Sequence, residues 1–340
     1  MDDAVIADEF GLSDSSAWRL HDRRRSLAAR ADWASYLMHT IHRPFDYKWI
    51  YYDADIVELP RLDTMRHLLP SAQPNVALCF PRNLRESWNH HALVSRAVVH
   101  KDALSSLDTC YAAPLFLTHS HDDQLVTEFR PNLSSTARNW LRSVASAVDE
   151  AACLKFLGYC YAVLWSDTFA HRYAEFLKTD FPRIPLSTNT EMFETLAQAG
   201  NRLSSLHLME STEPLKSPAS YAGPADPLVG KVRWLDDSVW LDASASSSKG
   251  TAGSNPAVFI GVHQSIWDFR LGGYQVCEKW LKDRKGRTLS DDDIAHYRWI
   301  VAALSETTRL MGEIDEVIEE YGGWPAAFAP TGQDGAGEGG

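Results

Sequence analysis

Apolar positions change their spacing along the chain, and each change marks a different kind of element. Between residues 15 and 41 the apolar set Trp18, Leu27, Trp33, Tyr36, Leu37 and Ile41, with Arg23, Arg24 and Arg25 exposed, predicts a helix. Pro44 breaks it, and Trp49, Ile50, Tyr51 and Tyr52 predict a strand. Residues 62–69 predict a short helix, and residues 76–80, 92–99 and 111–118 predict strands. From about Thr136 the period becomes helical. Residues 148–186 predict two helices, broken near Ser166 and Asp167, with Asp167 as N-cap of the second, and ended by Pro182 and Pro185.

Another helix is predicted over 190–208, with Met192, Phe193, Leu196, Leu203 and Leu206 on one side. Short strands at 231–234 and 239–241 precede a loop at 242–257 that is flexible by its Ser, Gly and Ala content. The last helix starts at Ser290. Its first turn holds Asp291, Asp292 and Asp293, where the positive end of the helix dipole favours acids. Ile294, Tyr297, Val301, Leu304, Met311, Ile314 and Ile318 then recur at helical spacing until Gly322, Gly323 and Pro325 stop the helix. Residues 326–340 are expected to be a disordered tail.

Composition narrows the class. With 45% hydrophobic and 23% charged residues among 340, the chain reads as folded and soluble. No apolar run is long enough to span a bilayer, and the acidic start carries no secretory signal. Five scattered cysteines without a C-x-x-C pair read as reduced core thiols in a cytoplasmic protein. A net charge of −12 disfavours indiscriminate nucleic-acid binding but leaves room for a local basic surface.

Catalytic patterns are scarce. His119, His121, Asp122 and Asp123 invite a metal-dependent hydrolase reading, but strand spacing puts only the two histidines on one face, and a polar loop explains them more simply. His90 and His91 read as surface residues. The segment from Ser254 through Asn255 and Pro256 to Phe259 only superficially matches the amine-holding motif of amino-methyltransferases, because the second proline is missing. No nucleotide-binding glycine turn, Walker motif or nucleophile elbow occurs. Such a chain is expected to bind rather than catalyse.

One segment departs from the acidic bulk. Residues 279–287 hold five bases (Lys279, Lys282, Arg284, Lys285 and Arg287) against one acid, Asp283, a local +4. A helix over 274–284 would put Tyr274, Cys277, Trp280 and Leu281 on one face and Gln275, Lys279 and Lys282 on another. Gly286 would cap its end. Two readings compete: the bases neutralise a helix C-terminus and pair with Asp291, Asp292 and Asp293, or they track phosphates while Gln275 reads an adenine edge.

The run GGYQVCEKWLKDRKGR (272–287), followed by LSDDDIAHYRWIVAALSETTRLMGEID (289–315), resembles the C-terminal specificity region of type ISP restriction-modification enzymes and related adenine-specific DNA methyltransferases. HRPFDYKWIYYD (42–53), KFLGYCYAVLWSDTFAHRYAEFLKTDFPRIPL (155–186) and AGNRLSSLHLME (199–210) agree with it in the expected order. The resemblance implies a mixed α/β (α+β) target-recognition domain, strand-rich at first and ending in a long helix. Its expected extent is 41–325, divisible into two lobes near residue 135, after a helical lead-in over 1–40. It further implies sequence-specific duplex binding that directs adenine methylation and restriction. S-adenosylmethionine, ATP and magnesium would serve only the methyltransferase and helicase-nuclease parts of a parent enzyme. Candidate DNA contacts are Arg43, Lys48, Arg61, Arg66, Arg82, Gln275, Lys279, Lys282, Arg284, Lys285 and Arg287. Arg43 could instead hold a turn through Asp46, and Arg61 and Arg66 could be salt-bridged on their helix. The rival class is a docking or scaffold subunit without DNA readout.

Overall fold

The computed structural model describes residues 2–70, 74–118, 130–211, 215–242 and 256–329. Two helices, α1 (Asp3–Phe10) and α2 (Leu20–Ala28), precede the hairpin of β1 (Leu37–Arg43) and β2 (Asp46–Tyr51). Next come α3 (Leu62–Met65), β3 (Ala77–Pro81), β4 (Leu93–Ser95), β5 (Val98–Val99) and β6 (Cys110–Pro114). A helical stretch follows: α4 (Ser135–Ala145), α5 (Glu150–Leu164), α6 (Asp167–Arg172), α7 (Ala174–Thr179) and α8 (Thr190–His207). The last part holds β7 (Ser220–Ala222), β8 (Arg233–Leu235), β9 (Ser238–Trp240), β10 (Val258–Ile260), α9 (Gln264–Trp267), β11 (Arg270–Leu271), β12 (Tyr274–Gln275), α10 (Val276–Lys282) and α11 (Asp291–Glu320). The strands form small sheets in the orders β2-β1-β5, β4-β3-β6, β7-β10-β9-β8 and β11-β12. This is the mixed α/β architecture the sequence implies.

Where local signals are strong, the elements follow them. In α11, 30 residues long, the Ser290 hydroxyl accepts from the Asp293 amide while the Asp293 carboxylate accepts from the Ser290 amide, a reciprocal cap. Helix α8 starts under an Asn189 cap and buries Met192, Phe193, Leu196, Leu203 and Leu206 along one side. Elsewhere tertiary pairing overrides the pattern. Residues 15–41 are not one helix: α2 ends at Ala28, a 3-10 turn spans Trp33–Tyr36, and residues 37–41 pair with β2 as a strand. Pro44 therefore sits in a hairpin turn, followed by Phe45 at φ 59°. Residues 92–99 are two strands in different sheets, because the Ser95 hydroxyl bonds to both the amide and the carbonyl of Ala97 and turns the chain. The second helix of the 148–186 stretch is capped by Ser166, whose hydroxyl accepts from the Phe169 amide, and Asp167 is its first residue. Residues 326–328 form a 3-10 turn rather than tail. No described helix is long and apolar enough to cross a membrane.

The core runs continuously from Met38 to Ala327. At its centre α5 and α8 cross with backbones in close approach, and Trp165, Tyr159, Tyr161 and Tyr297 are its largest fully buried side chains. All five cysteines are buried and free. His207, fully buried, exchanges hydrogen bonds with the Tyr161 hydroxyl at 2.5 Å and the Thr307 hydroxyl at 3.0 Å. The His90–His91 pair is not surface. His91 is 1% exposed, and the His90 ring stacks on Trp165 at 4.9 Å.

Burial sets a pH dependence. Desolvation, which disfavours the imidazolium, lowers the pKa to about 3 at His207 and to about 4 at His91 and His42. The unfolded chain takes up protons on these rings below about 6.5, while the folded protein does not until pH reaches the lowered values. Stability is therefore complete above about 6.5 and declines as pH falls toward 4. Denaturant titrations at pH 7.5 and pH 5 are expected to show a lower midpoint at pH 5. A midpoint unchanged between them would contradict neutral burial.

Candidate nucleic-acid interface

The hairpin β11-β12 turns through Gly272 and Gly273, whose amides donate to the carbonyls of Asn89 and Leu104 at 2.7 and 2.8 Å. Gly272 lies at φ 61°, and a Cβ there would come within 2.1 Å of the Leu104 oxygen, so only glycine fits. The helix begins after this hairpin, not at Tyr274. Tyr274 and Gln275 are strand residues, and the Gln275 amide donates to the Trp267 carbonyl at 2.7 Å. Its side chain thus closes the hairpin onto α9 instead of sharing an exposed helix face with Lys279 and Lys282.

Helix α10 buries Val276, Cys277, Trp280 and Leu281 and keeps its lysines on the opposite side. Lys279 pairs with Asp283, and Lys282 with Glu278 at 2.9 Å, both one turn apart. Arg284 does not face solvent. Its guanidinium lies 3.5 Å from the Trp280 ring centroid, 2.9 Å from Asp46 on β2 and 3.7 Å from Asp293 on α11. Side-chain exposure is 15% for Arg284 and 4% for Asp46, a buried ion pair that ties the β1-β2 hairpin to α10 and α11. The pairing of Arg284 with the acidic first turn of α11 was one of the two readings above. Asp46, 238 residues away in sequence, gave no local sign.

Beyond Arg284 the chain turns outward. Gly286, at φ 80°, donates to the Val229 carbonyl, and the Val229 amide donates to the Arg287 carbonyl. A bridge between Leu228 and Thr288 continues this pairing. The backbone is pinned while the Lys285 and Arg287 side chains remain exposed. A rigid backbone carrying two cations that pair with no described residue is suited to meeting a row of fixed anions.

The other candidate cations fall into two groups. Arg43 donates to the carbonyls of His42 and Asp102 and lies over the Tyr274 ring, so it does not hold a turn through Asp46, whose partner is Arg284. Arg61, at φ 51°, donates to the carbonyls of Cys110 and Val99 at 2.9 and 2.8 Å and makes no salt bridge with a described residue. Arg82 sits 3.5 Å from Asp180 and over the Phe181 ring. Lys48 and Arg66, by contrast, are exposed and form no ion pair with a described residue, as is true of Lys285 and Arg287. These four keep an unengaged charge; the remaining candidates are already used by the fold. His119, His121, Asp122, Asp123, Ser254 and Asn255 lie outside the described residues. Among the described residues no group of three or more His, Cys, Asp or Glu could hold a metal ion.

Comparison with known proteins places this architecture. Residues 2–313 match the family described as the Type ISP C-terminal specificity domain. No curated protein matches the chain. A nuclease-deletion mutant of the Type ISP restriction-modification enzyme LlaGI, solved with a DNA substrate mimic, superposes with a TM-score of 0.59 at 17% identity, covering 87% of this chain and 26% of that one. The ATP-dependent Type ISP restriction-modification enzyme LlaBIII, bound to DNA, gives 0.64 at 15% identity, covering 89% and 20%. The DrdV–DNA complex, from cryo-electron microscopy, gives 0.62 at 18% identity, covering 91% and 30%. This chain therefore spans less than a third of each of those polypeptides, and at such identities the likeness is one of fold. With nearly its whole length matched by the family model, the chain belongs to the Type ISP C-terminal specificity domains.

Proposed function

We propose that this chain is the target-recognition domain of a type ISP restriction-modification enzyme, reading duplex DNA and directing adenine methylation and restriction by parts outside it. The observation that carries this reading is the family match over residues 2–313, joined to a fold shared with two proteins solved on DNA and one solved with a DNA substrate mimic. Catalysis, with its S-adenosylmethionine, ATP and magnesium, belongs in this reading to the other parts of the enzyme. The bound duplex meets the exposed cations Lys48, Arg66, Lys285 and Arg287, and phosphate contacts supply affinity without sequence information.

Binding of labelled duplexes across a salt series tests this. Wild-type protein should bind with an affinity that falls steeply with salt and differs between sequences. Lys285→Gln/Arg287→Gln should weaken binding to all duplexes alike and reduce the slope of log affinity against log salt by about 0.9 for each lost phosphate contact. Stability of the variant should stay within about 0.5 kcal/mol of wild type, since both side chains are exposed. Salt-insensitive or absent duplex binding by the wild-type domain would overturn the reading.

A further inference from the structure

The β1-β2 hairpin carries an exposed aromatic face that the fold does not use. In its register Leu37 pairs with Tyr51 and His39 with Trp49, so these four side chains share one side of the ribbon. Trp49 is 69% exposed in mid-strand, and its ring already rests on His39 at 4.1 Å between centroids. Tyr51 is likewise backed by Tyr36 at 5.5 Å. β2 is the edge of its sheet. Burying Trp49 would be favourable by any hydrophobic measure, yet the domain folds with it outside.

A groove of about 550 Å³ opens beside this face, walled by His39, Tyr47 and Trp49 on the hairpin and by Leu68, Pro70 and Arg96 opposite. Among the described residues its one lining acid, Glu210, is held by Arg96 at 2.9 Å, so none of them brings a free carboxylate to it although the chain carries −12 overall. Arg66, exposed and in no ion pair with a described residue, lies in the 3-10 turn Arg66–Leu68 that also supplies Leu68, whereas Lys48 leaves β2 on the face opposite Trp49. Aromatic rings with free faces, near a cation and without an opposing free acid among the described residues, form the combination on which unstacked bases settle.

We propose that Trp49, supported by His39, is a stacking platform for a nucleobase that has left the duplex stack, in a nucleic-acid partner whose phosphate Arg66 meets. This rests on the DNA-reading function proposed above and adds to it a contact with the flat face of a base. Because a ring face is common to every base, Trp49 contributes affinity rather than sequence choice.

The test compares wild type, Trp49→Ala and Trp49→Phe on a fully paired duplex, the same duplex with one mismatched pair, and one strand alone. Trp49→Ala should bind the mismatched duplex and the single strand about 5- to 150-fold more weakly, the range for loss of one base–aromatic stack. Its salt slope should equal that of wild type, since no phosphate contact is removed, and Trp49→Phe should recover most of the loss. If Trp49→Ala binds all three DNAs as wild type does, the stacking platform is overturned and the DNA-reading function stands. If instead DNA binding is unchanged while the variant shifts in sedimentation, the face is an interface between copies of the chain, which also overturns the proposal. Absence of any DNA binding by wild type would remove both.

Discussion

Arg284→Ala is expected to lower the stability of the domain by about 3–5 kcal/mol, the range for removing one partner of a buried ion pair. The variant leaves the Asp46 carboxylate, 4% exposed, without the guanidinium 2.9 Å away, and it strips the cation from the Trp280 ring. Denaturant unfolding would show this as a fall in midpoint. Arg287→Ala, three residues on and exposed, should stay within about 0.5 kcal/mol of wild type. Two substitutions in one basic run would thus differ several-fold in their effect on stability. Replacing both members, as in Asp46→Leu/Arg284→Met, should recover a large part of the loss, because no uncompensated charge then remains inside. A loss below about 1 kcal/mol for Arg284→Ala would mean that Asp46 finds solvent or another cation, and the buried-pair account would be wrong.

Substituting Gly200 should be as damaging with far fewer atoms added. Gly200 on α8 faces Gly158 on α5, and a Cβ at position 200 would lie 1.8 Å from the Gly158 carbonyl oxygen and 2.9 Å from the Ala162 nitrogen. Both are backbone atoms, so no rotamer change relieves the clash; the helices themselves must separate. Ordinary overpacking costs about 1–3 kcal/mol, and Gly200→Ala is expected at or above the top of that range despite alanine's better helix propensity, worth about 1 kcal/mol in the other direction. Gly312→Ala on α11, where nothing lies within 4 Å of the added carbon, serves as the control and should stabilise slightly. Equal thermal stability for the two variants would show that the α5–α8 crossing is looser than this geometry.

The candidate interface was legible to different depths at different residues. Lys285 and Arg287 were marked by charge alone, and the structure leaves them exposed on a pinned backbone. Arg284 was marked by the same charge and is largely covered, paired with Asp46 against Trp280, since exposure depends on what folds over a side chain and not on its neighbours in sequence. Gln275 and Tyr274 fit a helical face when read by spacing. The Gly272–Gly273 turn instead makes them a strand, because the backbone there must approach Leu104 closely. Trp49 was read only as a strand former, and nothing in its spacing shows that it remains outside.

What the chain determined by itself was local: the reciprocal cap at Ser290, the stripe along α8, the strand through Trp49, Ile50 and Tyr51 and the stop after Tyr321, each set by hydrogen bonds or periodicity within a few residues. The motifs along residues 42–315 were likewise enough to point to the family. Tertiary structure decided the rest. It drew residues 37–41 into a strand, because pairing with β2 satisfies the backbone there and buries Met38 and Ile41 in a way that a lone helix with widely spaced apolar residues does not. It also chose which cations serve the fold and which stay free, since Arg284 and the Asp46 it meets are 238 positions apart in the chain. Burial and long-range charge pairing depend on groups far apart in the chain, so no window of the sequence contains them.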